Sequence, residues 1–475
     1  MNILVKTKYL LILIINAFSF INSQDIANLN SYSNLLNESK LYYDETSATN
    51  TKKFQLIFSQ SAYINTNLPN FENINGLYLS KGHGSVSNLF IKYNNEFIDL
   101  SIQPELAMIK HYDLSSLPIK NKEFSKLNDV PLNPSKINYY PRNLGLKLHF
   151  KDISIGYGNW NQWLGPGIHN SLILSNNSKG FYHYSIETKN KYVLSKNLSI
   201  KGKYLVSDAI KNSQNNHFFF SILFFNLFYK NIEFGYSKQI LNGGYEELSW
   251  DQADALSVLI TQKNIKYWDL FRTYFIALNF HDSNLKLFFE WGYPLQTFSE
   301  DYDPEIYYDH LRATNLGLRK YGAFGNNNMI FGFEYARIVQ GLYFNKIPTQ
   351  NWYDNHKYDY SSYSGRRWAA HSGADSDDFL AYIGIIYKDK SFIYEVNYER
   401  HGVTYNFPPE VKFESRIALS YKLNNTFLYL RYENEHFEHY GFVDSNNNVW
   451  EQSFEPGSVQ RTKTIMLSFD YYLNY

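Results

Sequence analysis

Two segments of this chain concentrate side chains that could do chemistry. The first, Trp160 to Asn177, reads WNQWLGPGIHNSLILSNN. Trp160 and Trp163 offer flat apolar faces. His169, Ser171, Ser175, Asn176 and Asn177 offer ring nitrogen, hydroxyl and amide groups. Sugars present hydroxyl arrays beside C–H patches, and this mixture of side chains meets both. Between them, Gly165-Pro166-Gly167 must turn sharply, because Pro fixes φ and Gly adopts backbone angles closed to other residues. The same composition also suits a loop that folds inward and hydrogen-bonds to a surrounding wall.

The second segment, Gly365 to Asp378, reads GRRWAAHSGADSDD. Arg366 and Arg367 can donate forked hydrogen bonds to carboxylates, which acidic polysaccharides carry. His371, Asp375 and Asp377 add polar groups of the same kind. The alternative is internal: Asp375, Asp377 and Asp378 pair with the arginines in a salt-bridge lattice. The aspartates lack the glycine and the distal Glu of a calcium loop. The 13 His residues show no HExxH or related spacing. Ser372 follows His371 without a GxSxG elbow. These patterns assign no catalytic residue, no metal ligand and no cofactor, and the chain reads as a non-enzyme.

The elements that must position these segments read as strands. Leu144, Leu146, Leu148 and Phe150 alternate with Gly145, Lys147 and His149. Leu285, Leu287, Phe289 and Trp291 oppose Lys286 and Glu290. Phe392, Tyr394, Val396 and Tyr398 oppose Glu395, Asn397 and Glu399, and Phe413, Ile417, Leu419 and Tyr421 oppose Glu414, Arg416 and Ser420. Leu428, Leu430 and Tyr432 oppose Arg431 and Glu433. Period-two alternation puts the two sets on opposite faces, and repeated Glu and Arg on the second face suit the polar interior of a barrel. Short turns near Asn94-Asn95, Lys151-Asp152, Lys196-Asn197, Lys230-Asn231, Asp282-Ser283, Lys388-Asp389 and Asn424-Asn425 alternate with long segments at 104–142, 161–180, 239–267, 293–311, 337–378 and 436–462. The expectation is an all-β fold: an antiparallel transmembrane β-barrel of about 18 strands with long extracellular loops.

The ends agree. Lys6 and Lys8 precede an apolar run, Tyr9 to Ile15 extended by Ala17 to Ile21, so residues 1–23 read as a secretory signal. Residues 24–53 are rich in Asn and Ser and read as a periplasmic leader or short plug, leaving 54–475 as the barrel. At the other end Ile465, Leu467, Phe469, Tyr471, Leu473 and Tyr475 share one face. Phe469, Tyr471 and Tyr475 are the residues expected to seat the closing strand at the membrane interface and to be read by the barrel-insertion machinery. Both termini are then periplasmic. Lys+Arg and Asp+Glu are both 45, and losing Lys6 and Lys8 leaves 43 against 45, a formal −2. Nucleic-acid binding needs a basic surplus that is absent here. There is no Cys, so disulfides, thiolate metal sites and a lipoprotein anchor on an N-terminal Cys are excluded. Aromatic residues make up 18%, with 43 Tyr and 36 Phe, as interfacial girdles and sugar-stacking surfaces both require.

At its two motif segments the chain resembles the capsule-assembly Wzi family of outer-membrane proteins. That family carries a W-x-GPG-x-x-x-SL-x-LS-N-N type segment, standing here as Trp163, Gly165-Pro166-Gly167, Ser171-Leu172, Leu174-Ser175 and Asn176-Asn177. Gly365-Arg366, Gly373 and Asp375-Ser376-Asp377 are similar to its second, looser pattern. The resemblance spans about residue 54 to the end, and the long loops and Tyr-rich strands resemble Bacteroidetes-type relatives. It implies an 18-stranded barrel with a lectin-like role in attaching or organising capsular polysaccharide. Well-known members carry an N-terminal helical bundle under the barrel; the leader here is shorter and poorly helical. The expected partners are surface polysaccharide and outer-membrane lipid. The alternatives are a channel or porin, or a structural platform of a surface-export or motility complex.

Overall fold

The computed structural model describes residues 53–70, 72–109, 137–212, 215–243, 269–294, 313–338, 352–353, 358–359, 361–387, 389–403, 409–440 and 459–473. Residues 1–52, on which the expected signal and most of the expected leader fall, and Tyr475 lie outside the described residues.

The alternating runs form strands. In chain order these are β1 (Phe54–Asn65), β2 (Gly82–Asn94), β3 (Ile98–Met108), β4 (Ile137–Phe150), β5 (Ile153–Gly158), β6 (His183–Thr188), β7 (Tyr192–Ser195), β8 (Leu198–Lys211), β9 (His217–Tyr229) and β10 (Ile232–Gly243). There follow β11 (Asp269–Phe280), β12 (Leu285–Pro294), β13 (Ala313–Ala323), β14 (Asn326–Ile338), β15 (Ser362–Tyr363), β16 (Arg366–Arg367), β17 (Ser376–Tyr387), β18 (Lys390–His401), β19 (Glu410–Leu423), β20 (Thr426–Glu438) and β21 (Gln460–Leu473). All but β15 and β16 join one 19-stranded sheet. β6 and β7 both pair with β8, so they share one position, and the sheet has 18 barrel strands. Antiparallel pairing of β1 with β21, from Leu56↔Leu473 to Asn65↔Thr464, closes it. Pairing the first strand with the last removes the two open ends of the sheet, which is what hydrocarbon demands of a spanning sheet.

Connections sort by side. Every expected short turn lies at one end of the barrel, joined there by the Phe324-Gly325 turn between β13 and β14. Lys151, Lys230, Asn284, Phe324 and Asn424 take positive φ where these chains reverse. The connections at the other end include all the expected long ones, with most of the flanking strands, β3, β4 and β10 furthest, running further into them than the sequence pattern indicated. That end also holds the 66–81 connection between β1 and β2, which the pattern of long segments did not include, and a short 212–216 link between β8 and β9.

The two faces separate as the alternation requires. Leu146, Phe289, Phe392, Phe413, Leu419, Leu430 and Leu467 point outward and are exposed, while Glu290, Glu395, Asn397, Glu399, Glu414, Arg416 and Glu433 point inward and are buried. Apolar side chains outside and polar side chains inside invert a soluble fold and match a barrel in lipid. The hydrophobic core lies within the lumen. Ile74, Leu79, Leu164, Leu172, Leu174, Phe181, Tyr353, Tyr358, Trp368 and Ala370 from three connections pack against inward Leu205, Phe218, Phe220, Phe271, Phe275 and Phe288 of the wall.

Candidate functional site

The first motif begins with Trp160 leaving β5. Its indole Nε1 donates to Ser101 Oγ on β3 at 2.8 Å, and Lys147 Nζ sits 4.8 Å from its ring. The chain then dives into the lumen and reverses at Gly165-Pro166-Gly167. The turn is pinned by one carboxylate of the wall, Glu334 on β14. Ile168 N donates to Glu334 Oε2 at 2.8 Å and Asn170 N to Oε1 at 2.6 Å, with His169 N at 3.3 Å from both. Three successive backbone N–H groups thus surround one anion. A Cβ at Gly167 would collide with the Asn170 carbonyl and the Asn315 and Glu334 side chains, so the cradle requires glycine. Arg319 donates to the Pro166 carbonyl, and Asn315 Nδ2 donates to Asn170 O at 3.1 Å.

The second half of this motif joins three connections. Leu164 N donates to Leu174 O at 3.0 Å and Ser171 Oγ to Leu164 O at 2.5 Å, which closes the turn on itself. Ser175 N donates to Trp368 O at 2.6 Å and Ser175 Oγ to Ala369 O at 2.5 Å. Asn177 Nδ2 donates to Arg367 O at 3.1 Å, while Asn75 N and Gly76 N donate to Asn176 O and Asn177 O at 2.9 and 3.0 Å. Asn73 Nδ2 donates to His169 O at 2.9 Å. The 66–81 connection, which motif reading missed, is therefore the third strut. Its signal was the Asn73, Asn75 and Gly76 run, all at positive φ in the structure.

The second motif opens with a hairpin. β15 and β16 pair Tyr363 with Arg366 across Ser364-Gly365, both at positive φ (54° and 76°), as a two-residue primed turn demands. Arg366 is buried and donates to Leu77 O at 3.3 Å and Asn177 Oδ1 at 3.0 Å, so its fork bridges two connections. Arg367 is also buried. The expected pairing of these arginines with Asp377 is not what forms. Asp377 lies directly opposite Arg400 in the β17–β18 register and accepts from its Nε at 2.8 Å. Asp375, at positive φ, offers its backbone carbonyl to Gly402 N at 2.9 Å. Trp368 is fully buried against Phe220, with ring centroids 5.2 Å apart.

The structure thus brings both motifs into one plug. His169 and His371 meet with ring centroids 4.4 Å apart. Burial opposes charge on His169, but the adjacent Asp378 carboxylate prevails and raises it to about 9. His371 is lowered, first by burial and then by the His169 cation. Trp160, His169, Ser171, Ser175, Asn177, Arg366, Arg367, His371, Asp375 and Asp377 are all buried. Trp163 and Asn176 keep partial exposure. A second polar system, also not singled out from motifs, lines β18 to β20: Arg416 reaches Glu395 at 2.6 Å and Glu433 at 2.5 Å, and Lys412 reaches Glu414 at 3.1 Å.

A closed antiparallel sheet with an apolar exterior, a polar interior and loops in the lumen defines an outer-membrane-type β-barrel. Neither a protein-family model nor a curated protein matches this chain. Among solved structures it is similar to Wzi of Escherichia coli, an outer-membrane protein involved in group 1 capsule assembly and described as a carbohydrate-binding β-barrel. The two share 11% identity at a TM-score of 0.62, covering 95% of each chain. At that identity the likeness establishes a common fold. The chain also matches OccAB2 of Acinetobacter baumannii (9% identity, TM-score 0.47, covering 89% of this chain and 98% of that one). OccK8 (OprE) of Pseudomonas aeruginosa matches at 11% identity and a TM-score of 0.47, covering 90% and 99%.

Proposed function

We propose that this chain is a binding protein of the outer membrane that holds or organises surface polysaccharide at its outer mouth, and that it is neither an enzyme nor an open pore. The observation that carries this reading is the plug. A diffusion channel needs a continuous wet lumen, whereas Tyr358, Trp368 and Ala370 are fully buried where connections from three places in the chain pack together inside the wall. The fold shared with a carbohydrate-binding barrel adds support. In this reading the long connections face the exterior and both termini face the periplasm. The buried motif residues build the platform, and Trp163 and Asn176, which keep partial exposure, are the motif side chains placed to touch a glycan.

The test is direct. Folded, purified protein should retain polysaccharide from its own strain, and Trp163→Ala should weaken retention without shifting thermal unfolding. Deleting the gene should release surface polysaccharide into the medium. Folded wild-type protein that binds none of its strain's polysaccharide removes the reading. The runner-up is a selective channel, favoured by a charged inner wall where Glu187 binds Lys147 at 2.7 Å and Lys203 at 2.8 Å with all three partly accessible. Steady current through the wild type in a planar bilayer would select it.

A further inference from the structure

Inside the plug, two imidazoles and two carboxylates converge from four different places in the chain. Glu72 comes from the 66–81 connection, His169 from the Gly-Pro-Gly segment, His371 from the stretch before β17 and Asp378 from β17 itself. All four are buried. Ligand atoms of Glu72, His169 and His371 lie within 4.8 Å of one another. His169 Nε2 is 3.2 Å and His371 Nε2 is 3.3 Å from the same oxygen, Asp378 Oδ2. A tetrahedral zinc ion with bonds of about 2.0–2.1 Å spaces its ligand atoms roughly 3.3–3.4 Å apart. Two edges of such a site, joining three ligands, are therefore already in place, and Glu72, with a carboxylate oxygen within 4.8 Å of both imidazoles, is positioned as the fourth.

A second observation points the same way. His371 Nε2 is buried without a hydrogen-bond partner, although it faces Asp378 and lies 3.9 Å from Glu399 Oε2. Buried ring nitrogens rarely stay unsatisfied; one 3.3 Å from a carboxylate oxygen is spaced either as an N–H donor to it or as its co-ligand on one ion, and here the hydrogen-bond geometry is not met. The surroundings supply the charge. Glu395, Glu399, Glu410, Glu414, Glu433 and Glu435 line the adjacent wall, with Lys412, Arg416 and Arg431 as fixed cations and His401 between Glu399 and Glu410. Adding Glu72 and Asp378 makes eight carboxylates against those three cations and the His401 imidazole, a surplus that a divalent ion offsets.

We propose that Glu72, His169, His371 and Asp378 bind a divalent transition metal of the zinc class, and that this ion staples the three connections of the plug to the barrel wall. Two imidazoles exclude the oxygen-preferring Ca²⁺ and Mg²⁺ and suit zinc. The competing arrangement within the same residues is metal-free: His169 stays a cation on Asp378, and Glu72 stays with Lys412 and Arg416, the latter at 3.4 Å. The proposal is independent of what the barrel mouth binds.

Tag-free protein, folded in detergent and stripped with a chelator, separates the two. Titrated with zinc alone, it should take up one ion per chain and unfold at a higher temperature. Cobalt in place of zinc should give the visible absorption of a tetrahedral site. His371→Ala and Glu72→Gln should each lose stoichiometric uptake. If either variant fails to insert, the cobalt spectrum of the wild type still decides. Folded wild type that takes up no zinc, or variants that bind it as the wild type does, would overturn the site.

Discussion

Arg366 illustrates how single residues hold this lumen. Its guanidinium is buried and its donors bridge the Leu77 carbonyl and the Asn177 side chain. Removing it strands buried acceptors, which costs about 1–3 kcal/mol where no water can replace the donor. Arg366→Ala should therefore lower the thermal midpoint of the folded barrel while leaving insertion intact. Arg366→Lys should not restore it, because a point charge cannot span two acceptors as a fork does. An unchanged midpoint would show that the connections are held by other contacts. This role was half legible in the sequence. The arginine pair and the Gly-Pro-Gly turn stand out by type, and an inward-folded loop was one of two readings their composition allowed. Their partners were not legible. Glu334 is far along the chain from the amides it receives, and the Asn73 to Gly76 run marks a turn without marking which distant connection it meets. In the second motif Asp377 is taken out of the internal Arg–Asp lattice for a register reason: it sits opposite Arg400 on the neighbouring strand and pairs with it there.

At the scale of elements, each strand carries a lipid row and a lumen row. Leu467 lies mid-strand in β21, paired with Ala62 and Leu430, and its side chain is exposed outward. Leu419 is also outward but sits close to the Asn424 turn. An outward Arg costs about 2–4 kcal/mol at the bilayer midplane and about 0–1 near the interface. Leu467→Arg should abolish the heat-modifiable folded band on gels, Leu419→Arg should weaken it less, and Lys147→Arg on the lumen row should leave it unchanged. Equal effects from the two leucines would mean that depth in the membrane does not follow position along the strands. The alternation that assigns these rows is visible in the sequence because each strand needs it independently. Other features follow from tertiary contacts and carry no such period. The break between β6 and β7 is one, since both halves pair with β8. The 66–81 connection is another: its apolar residues, Ile74, Leu77 and Leu79, are buried in a cluster that two other connections and the barrel wall complete.

For the molecule as a whole, sidedness and closure are separate questions, and an introduced thiol can answer both because the natural chain has no Cys. Lys211 is exposed at the end that carries the long connections, and Asp389 is exposed at the short-turn end. With long connections outside, Lys211→Cys should react with an impermeant maleimide on intact cells, and Asp389→Cys should react only after the outer membrane is breached. The reverse order would invert the barrel. Tyr358 also belongs to a long connection, but it is fully buried against Phe218 in the plug, with ring centroids 5.1 Å apart. Tyr358→Cys therefore reports opening, not sidedness, and should stay unlabelled while the plug is shut. The same geometry predicts the electrical behaviour. The wild type should pass little current, because its lumen is filled by packed aromatic side chains instead of water. Deleting residues 361–375 removes the hairpin, Trp368 and the acceptors for Ser175 and Asn177, while β17 still begins at Ser376 to keep the wall closed. That deletion should raise single-barrel conductance several-fold while the folded band on gels persists. A wild type that already conducts as freely as the deletion variant would mean that the connections do not block the lumen in the membrane, and the chain would then be a channel.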